Sequence, residues 1–204
     1  MARKKDQEAR RDELRRAAVR AVAARGLAGV RLRDVAEEAG LSPASVLYYY
    51  PDLEELFLEA YRHAMQRFYE RRRAAAERID DARERIVATV RAGMPTGPDD
   101  AEMLVLWEGV PYERTHPTLG EFDRLFVSRQ VDLYVSILEL GVAQAHFSLA
   151  SDARTIATNI LALEDYHGLG VLVRYLSSVE EAVRLVLSYA SLATSCELSV
   201  EVGA

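Results

Sequence analysis

Residues 32–50, LRDVAEEAGLSPASVLYYY, constrain this chain more than any other stretch. Leu32, Val35, Ala36 and Ala39 recur at helical spacing, which draws one apolar stripe along a short helix. Gly40 stops that helix, because glycine takes the left-handed conformation at a helix end at little cost. Ser42 suits the next N-cap. Pro43 suits the first helical position, where no N–H is needed. Val46 and Tyr50 lie four apart and turn back toward a core, which leaves Ser45, Leu47, Tyr48 and Tyr49 to point elsewhere. Small Ala36, the turn at Gly40 and apolar Val46 let two helices cross closely. This is the pattern of a helix-turn-helix, whose second helix enters the DNA major groove. A plain helical hairpin shares the spacing, so the surroundings must decide.

Charge favours the first reading. The net charge is −6, unevenly spread. Residues 1–50 hold 11 Lys/Arg against 7 Asp/Glu, and the remainder holds 15 against 25. A basic head on an acidic body is the footprint of a DNA-reading module carried by another domain. The 204 residues are enough to bury a real core. Cys196 is the only cysteine, which excludes an internal disulfide and a cysteine-rich zinc site and fits a reducing cytoplasm. No apolar run approaches the ~20 residues of a membrane helix. The basic, polar start reads as lacking a signal peptide, so the expected location is cytoplasmic.

The expected elements follow in order. Residues 1–7 read as a flexible arm in which Arg3, Lys4 and Lys5 either touch phosphates or are simply solvated. A helix over 8–25 buries Leu14, Ala18, Ala21 and Val22 and wets Arg10, Arg11, Arg15 and Arg16. Arg31 and Arg33 flank the second helix, within reach of phosphate oxygens. Asp52 and Glu55 form a capping-box-like pair for a long helix to about 79, the natural lever between ligand and DNA. A helix over 80–92 ends at the breaker cluster 93–98, read as a mobile loop. Asp99 or Asp100 caps a helix over 101–109. Pro111 and Pro117 break the next stretch, and a helix over 119–144 follows. Ser151 caps a helix over 152–175; Ser178 and Glu181 open a last one to 197.

The run GLSPASVLYYYPDLEEL resembles the TetR family of bacterial transcriptional repressors. The shared pattern is a Gly-apolar-Ser turn (Gly40 to Ser42), a recognition helix ending in aromatics (Tyr48 to Tyr50), Pro51, and an acidic helix start. It covers residues 10–60, about a quarter of the chain; the rest matches only in layout. The resemblance implies an all-α protein with a three-helix helix-turn-helix head (1–50) and a larger ligand-binding and dimerisation body (51–204). It also implies a homodimer joined through a four-helix bundle. The family often places a phosphate-holding lysine where this chain has Leu53.

The implied function is a ligand-responsive transcriptional regulator and not an enzyme. It is read as a repressor on a pseudo-palindromic double-stranded operator, released by a small-molecule effector; an activator is the alternative. Arg31, Arg33, Tyr48 and Tyr49 are expected on phosphates. Pro43, Ala44, Ser45 and Leu47 are expected on base edges.

The last two helices are apolar nearly all round, which calls for a second burial partner such as a dimer. The effector candidates are Met103, Trp107, Glu108, Tyr112, Tyr134, Glu164, Asp165 and His167. Glu164 and Asp165 interrupt an apolar helix, and a buried carboxylate is costly unless paired. Either the two lie on a surface strip, or the partner is Arg174, a charge across a dimer, or a cationic ligand held by aromatic faces. Two Glu-x-x-His copies, Glu113 to His116 and Glu164 to His167, leave a ferritin-like di-metal enzyme as the other class. No cofactor is expected: there is no Ser-His-Asp set, phosphate loop or dinucleotide glycine pattern.

Overall fold

The computed structural model of the protein describes residues 2–114 and 116–199; for residues 2–5, 113, 114, 117 and 118 it describes the backbone alone. Among the described residues the chain is all-helical. The helices are α1 (Ala2–Arg25), α2 (Leu32–Glu38), α3 (Pro43–Tyr49), α4 (Leu53–Glu77), α5 (Ala82–Gly93) and α6 (Ala101–Gly109). A 3-10 turn (Val110–Arg114) follows, then α7 (Pro117–Ala143), α8 (Ala153–Leu172) and α9 (Val179–Thr194). No helix is long and apolar enough to cross a membrane, among the described residues. The chain divides into two compact units, Met1–Gln66 with Asp99–Phe122, and Arg67–Pro98 with Asp123–Ala204. The boundary expected after residue 50 parts the helix-turn-helix from α4, whereas α4 and α7 each contribute to both units.

In the first unit, Leu14, Ala18, Ala21 and Val22 of α1 are buried with Val35 and Ala36 of α2 and Val46 and Tyr50. Gly40 is left-handed (φ 64°), and the Leu41 N–H closes the turn on the Ala36 carbonyl at 2.8 Å. The Ser42 hydroxyl caps α3 by accepting from the Ser45 N–H at 3.1 Å. Asp52 opens α4 by accepting from the Glu55 N–H at 2.8 Å. Two expectations change. Residues 2–7, read as an arm, belong to α1, while Met1 and the side chains of Arg3, Lys4 and Lys5 lie outside the described residues. Arg15, read as wet, is buried: it donates to Glu59 of α4 at 2.5 Å and to Glu8 at 2.9 Å. Arg11 stands over the Tyr50 ring at 4.9 Å. Burial, then the neighbouring Glu59 carboxylate, push the Tyr50 phenol up to about 12.

In the second unit, one continuous core joins α5, α7, α8 and α9 through Ile86, Val90, Ile137, Leu138, Ile160, Val186 and Leu187. In the cluster at 93–98, Gly93, Met94 and Pro95 are buried and Thr96 is exposed. Asp152, not Ser151, caps α8, accepting from the Thr155 N–H at 2.9 Å. Helix α8 stops at Leu172 and α9 at Thr194, each about three residues earlier than the sequence indicated. Arg174 (φ 62°) and Ser195 (φ 52°) take the left-handed conformation that terminates them, with no glycine to announce it. Ser178 does cap α9 through the Glu181 N–H, but the Glu181 carboxylate reaches Ser177 instead of closing a box on Ser178.

Candidate DNA-facing surface and effector site

Helix α3 is short, and only Val46 of its seven residues is fully buried. Pro43, Ala44, Leu47 and Tyr48 are exposed; Ser45 and Tyr49 are half-buried. Tyr48, 70% exposed, meets Tyr49 edge-on with centroids 5.0 Å apart. The Ser45 and Ser42 hydroxyls are hydrogen-bonded at 2.8 Å. Arg31 and Arg33 are exposed at the start of α2, where the Arg31 N–H donates to Asp34 at 2.8 Å. Of the eight DNA candidates, six are exposed on α3 or at the start of α2, and Ser45 and Tyr49 are half-buried on α3. Lacking donors, Pro43, Ala44 and Leu47 offer apolar contact, while the arginines offer charge.

The eight effector candidates divide between the units. Met103, Trp107, Glu108 and Tyr112 belong to the first. Met103 is buried and Trp107 half-buried. The Glu108 carboxylate accepts from the Leu27 N–H at 3.2 Å, which closes the turn after α1. Tyr112 lies between Phe57 at 5.5 Å and His116 at 5.6 Å, and borders a cavity of about 200 Å³ with Leu27, Leu53, Glu54 and Phe57. His116 meets Glu54 at 2.6 Å, and this contact raises its pKa.

Tyr134, Glu164, Asp165 and His167 belong to the second unit. Glu164, only 3% exposed, is paired, but not with Arg174: its partner is Arg72 of α4, 1% exposed. Arg72 Nη2 donates to the two Glu164 carboxylate oxygens at 3.0 and 2.8 Å and to the Tyr134 hydroxyl at 3.0 Å. Arg72 Nη1 donates to Gln130, and the Tyr134 hydroxyl donates to Glu164. The guanidinium carbon stands 5.3 Å from the Tyr134 ring and 5.5 Å from the Phe68 ring. Gly93 makes room for this cluster, since a Cβ there would lie 2.7 Å from Glu164 Oε1 and 3.0 Å from Arg72 Cζ.

Burial raises the Glu164 carboxyl to about 7, against the pull of Arg72 and the Tyr134 hydroxyl. Burial also opposes the charge on Arg72, but Glu164 and Tyr134 outweigh it. Asp165 has an exposed side chain in crowded surroundings; desolvation and Asp123 raise its carboxyl to about 6, opposed by Arg72. His167 is half-buried, its pKa is lowered by desolvation, and its Nδ1 makes no hydrogen bond.

Sequence reasoning missed Arg72, Gln130 and Phe68. Arg72 sits in the run Arg71-Arg72-Arg73, which reads as a solvated face. The only signal was Glu164, a carboxylate in an apolar helix that had to find a cation. Among the described residues the di-metal arrangement is not assembled: Glu164 is held by Arg72, and His116 by Glu54 and the Tyr112 carbonyl, while the Glu113 side chain lies outside the described residues. No group of three or more His, Cys, Asp or Glu is placed to hold a metal, among the described residues.

Residues 14–60 match the family model of bacterial regulatory proteins, tetR family. The HTH-type transcriptional regulator BetI of Brucella anthropi is 33% identical over 98 residues, covering 48% of this chain and 50% of BetI. The chain thus spans about half the length of the curated relatives it matches. Among solved structures, a transcriptional regulator from Saccharomonospora viridis in complex with choline is 28% identical. It superposes with a TM-score of 0.81 over 89% of this chain and 95% of that one. A TetR transcription regulator from Haloarcula marismortui shares the fold at 17% identity, with a TM-score of 0.80 over 92% and 99% of the two chains.

Proposed function

We propose that this chain, which belongs to the tetR family of bacterial regulatory proteins, is a repressor that binds a pseudo-palindromic operator as a homodimer and leaves it when a small organic cation binds. The exposed face of α2 and α3 carries the reading. Seven residues of helix that bury one side chain are poorly supported as core, and well suited to a groove. Two arginines at the edge of that face supply the phosphate contacts.

Dimerisation is supported by what α8 and α9 leave uncovered. Most of their apolar residues are buried in the chain's own core, which reduces the surplus expected from sequence. Leu192 (77% exposed), Leu185 and Tyr166 on these helices, and Val173 and Tyr175 in the turn between them, remain outside it. A two-fold partner covers such a patch on both copies at once.

Arg33→Ala is expected to weaken binding to all duplex sequences alike and to lower the salt slope of log K by about one. Fluorescence anisotropy on operator and random duplexes at several salt concentrations measures both. A change confined to sequence preference would mean that Arg33 reads bases.

The cationic effector is supported by the acidic body, by Tyr134, Glu164, Asp165 and His167, and by a related regulator solved with choline. Met103, Trp107, Glu108 and Tyr112 are the candidate contacts in the first unit. Calorimetry against choline, polyamines, fatty acids and neutral aromatics tests the class. Amines are expected to bind and fatty acids to be inert; the reverse would sink the cation reading. Affinity should rise with pH through about 7, because a cation prefers ionised Glu164. The groups at that carboxylate are Arg72 from α4, Gly93 from α5, Tyr134 from α7, and Asp165 beside it. Asp165, titrating near 6, acts in the same direction.

A further inference from the structure

We propose that Phe68, Tyr134 and Glu164 form an organic-cation site that the chain keeps filled with its own Arg72, so that an effector cation enters by displacing the guanidinium. The inference rests on the ligand-responsive reading above and specifies how that site is regulated. Two ring faces at 5.5 and 5.3 Å and one buried carboxylate are what recognises an alkylammonium ion away from water. Here that apparatus surrounds a side chain of the protein.

The fit of the guanidinium is incomplete. Arginine's advantage over other cations is its fork, in which two nitrogens meet two carboxylate oxygens. In this cluster the single nitrogen Nη2 serves both Glu164 oxygens and the Tyr134 hydroxyl. Arg72 Nε is buried and makes no hydrogen bond. The site thus treats Arg72 as a compact positive charge, a role that a small ammonium or guanidinium ion fills equally well. Only the Nη1 bond to Gln130 is specific to the tethered side chain.

Charge and space favour exchange. Asp165 lies near both Arg72 and Glu164, so two carboxylates face the one Arg72 guanidinium, with Arg71 over the Phe68 ring at 5.5 Å. Such a field draws a second cation toward the site. Gly93 presents bare backbone to the guanidinium, which leaves the slot without a Cβ on that side. Arg72 lies on α4, which starts at Leu53 just after α3 and runs unbroken to Glu77. A ligand that expels Arg72 therefore acts on the helix that leads to the DNA-facing face. It shifts the population only by as much as it prefers the expelled state.

The test compares wild type, Arg72→Ala and Gln130→Leu, using choline and methylguanidinium as probes and methylurea as the neutral isostere. Calorimetry and melting are run at fixed ionic strength. Gln130→Leu removes the partner specific to Arg72 without touching the cation box. It is expected to bind choline about tenfold more tightly than wild type, as loss of one hydrogen bond to a charged group implies. Arg72→Ala is expected to gain saturable thermal stabilisation from millimolar methylguanidinium or choline, and none from methylurea.

Unchanged or weaker choline binding by Gln130→Leu would overturn the proposal, even if Arg72→Ala fails to fold. Equal affinity in all three proteins would also overturn it, while leaving the cationic effector intact. Binding to Arg72→Ala with none to wild type would overturn it as well, since the guanidinium would then not be exchanged for an effector.

Discussion

Replacing Arg72 by alanine is expected to remove about 3–5 kcal/mol of global stability near pH 8, the usual cost of stranding one partner of a buried ion pair. For a chain of this size that is a fall in Tm of roughly 6–20 °C. The physical reason is Glu164, which stays buried with its cation gone and only the Tyr134 hydroxyl to serve it. The stranded carboxylate can escape by taking a proton, and burial already holds its pKa at about 7. Losing Arg72 raises it further, because the opposing charge is removed. The loss should therefore shrink as pH falls from 8 to 5, where neutral Glu164 prevails in the folded variant. Arg72→Met combined with Glu164→Leu removes both charges and should recover most of the loss, since apolar replacements of buried pairs are often neutral. Denaturant titrations at the two pH values measure this. Equal losses at both, or a double variant no better than the single one, would show that the pair is not what holds these helices together.

Gly141→Ala should cost about 1–3 kcal/mol, by forcing atoms into a filled space. A Cβ there would lie 1.9 Å from Phe147 Cδ2 and 2.3 Å from Cε2. The ring has nowhere easy to go. Phe147 is buried, and both its own N–H and that of His146 donate to the Gly141 carbonyl, at 3.1 and 2.9 Å. These bonds bind the turn after α7 to the residue that the ring covers. Gly97→Ala is the matched control, because a Cβ there meets nothing within 4 Å. It should stay within about 0.5 kcal/mol of wild type. Phe147→Leu added to Gly141→Ala should regain part of the loss. A denaturation midpoint for Gly141→Ala equal to that of Gly97→Ala would contradict this packing.

The difference between what was legible and what was not follows the range of the interactions. Gly40, Ser42 and Pro43 determine their turn within a few residues, so the helix-turn-helix and its exposed face could be read directly. The caps at Asp52, Asp100 and Ser178 are equally local. Helix ends at Arg174 and Ser195 were misread because no glycine marks those left-handed residues, and the turns close through the Tyr175 and Cys196 N–H groups on the Gly170 and Ser191 carbonyls. Arg15 was misread and Arg72 passed over because charge in a basic run predicts solvent, and each has a carboxylate partner on another helix. Glu59 lies 44 residues from Arg15, and Glu164 lies 92 from Arg72. Glu164 showed that a cation was needed but not which one, and nearby Arg174 was the wrong guess. The effector candidates were gathered from one chemical type, aromatic and acidic, and chemical type does not report which compact unit a residue joins.

That this chain holds DNA as a dimer and releases it to a cation is our proposal. A gel shift on fragments flanking its own gene, at low salt and with or without choline, tests that claim most directly. The account predicts a retarded complex with two protomers per duplex, and half-sites about 10 bp apart or a multiple of that. It also predicts that the complex dissolves as choline is added. Failure to retard any fragment at low salt would contradict the regulator, and a retarded complex indifferent to every amine would contradict its release by a cation.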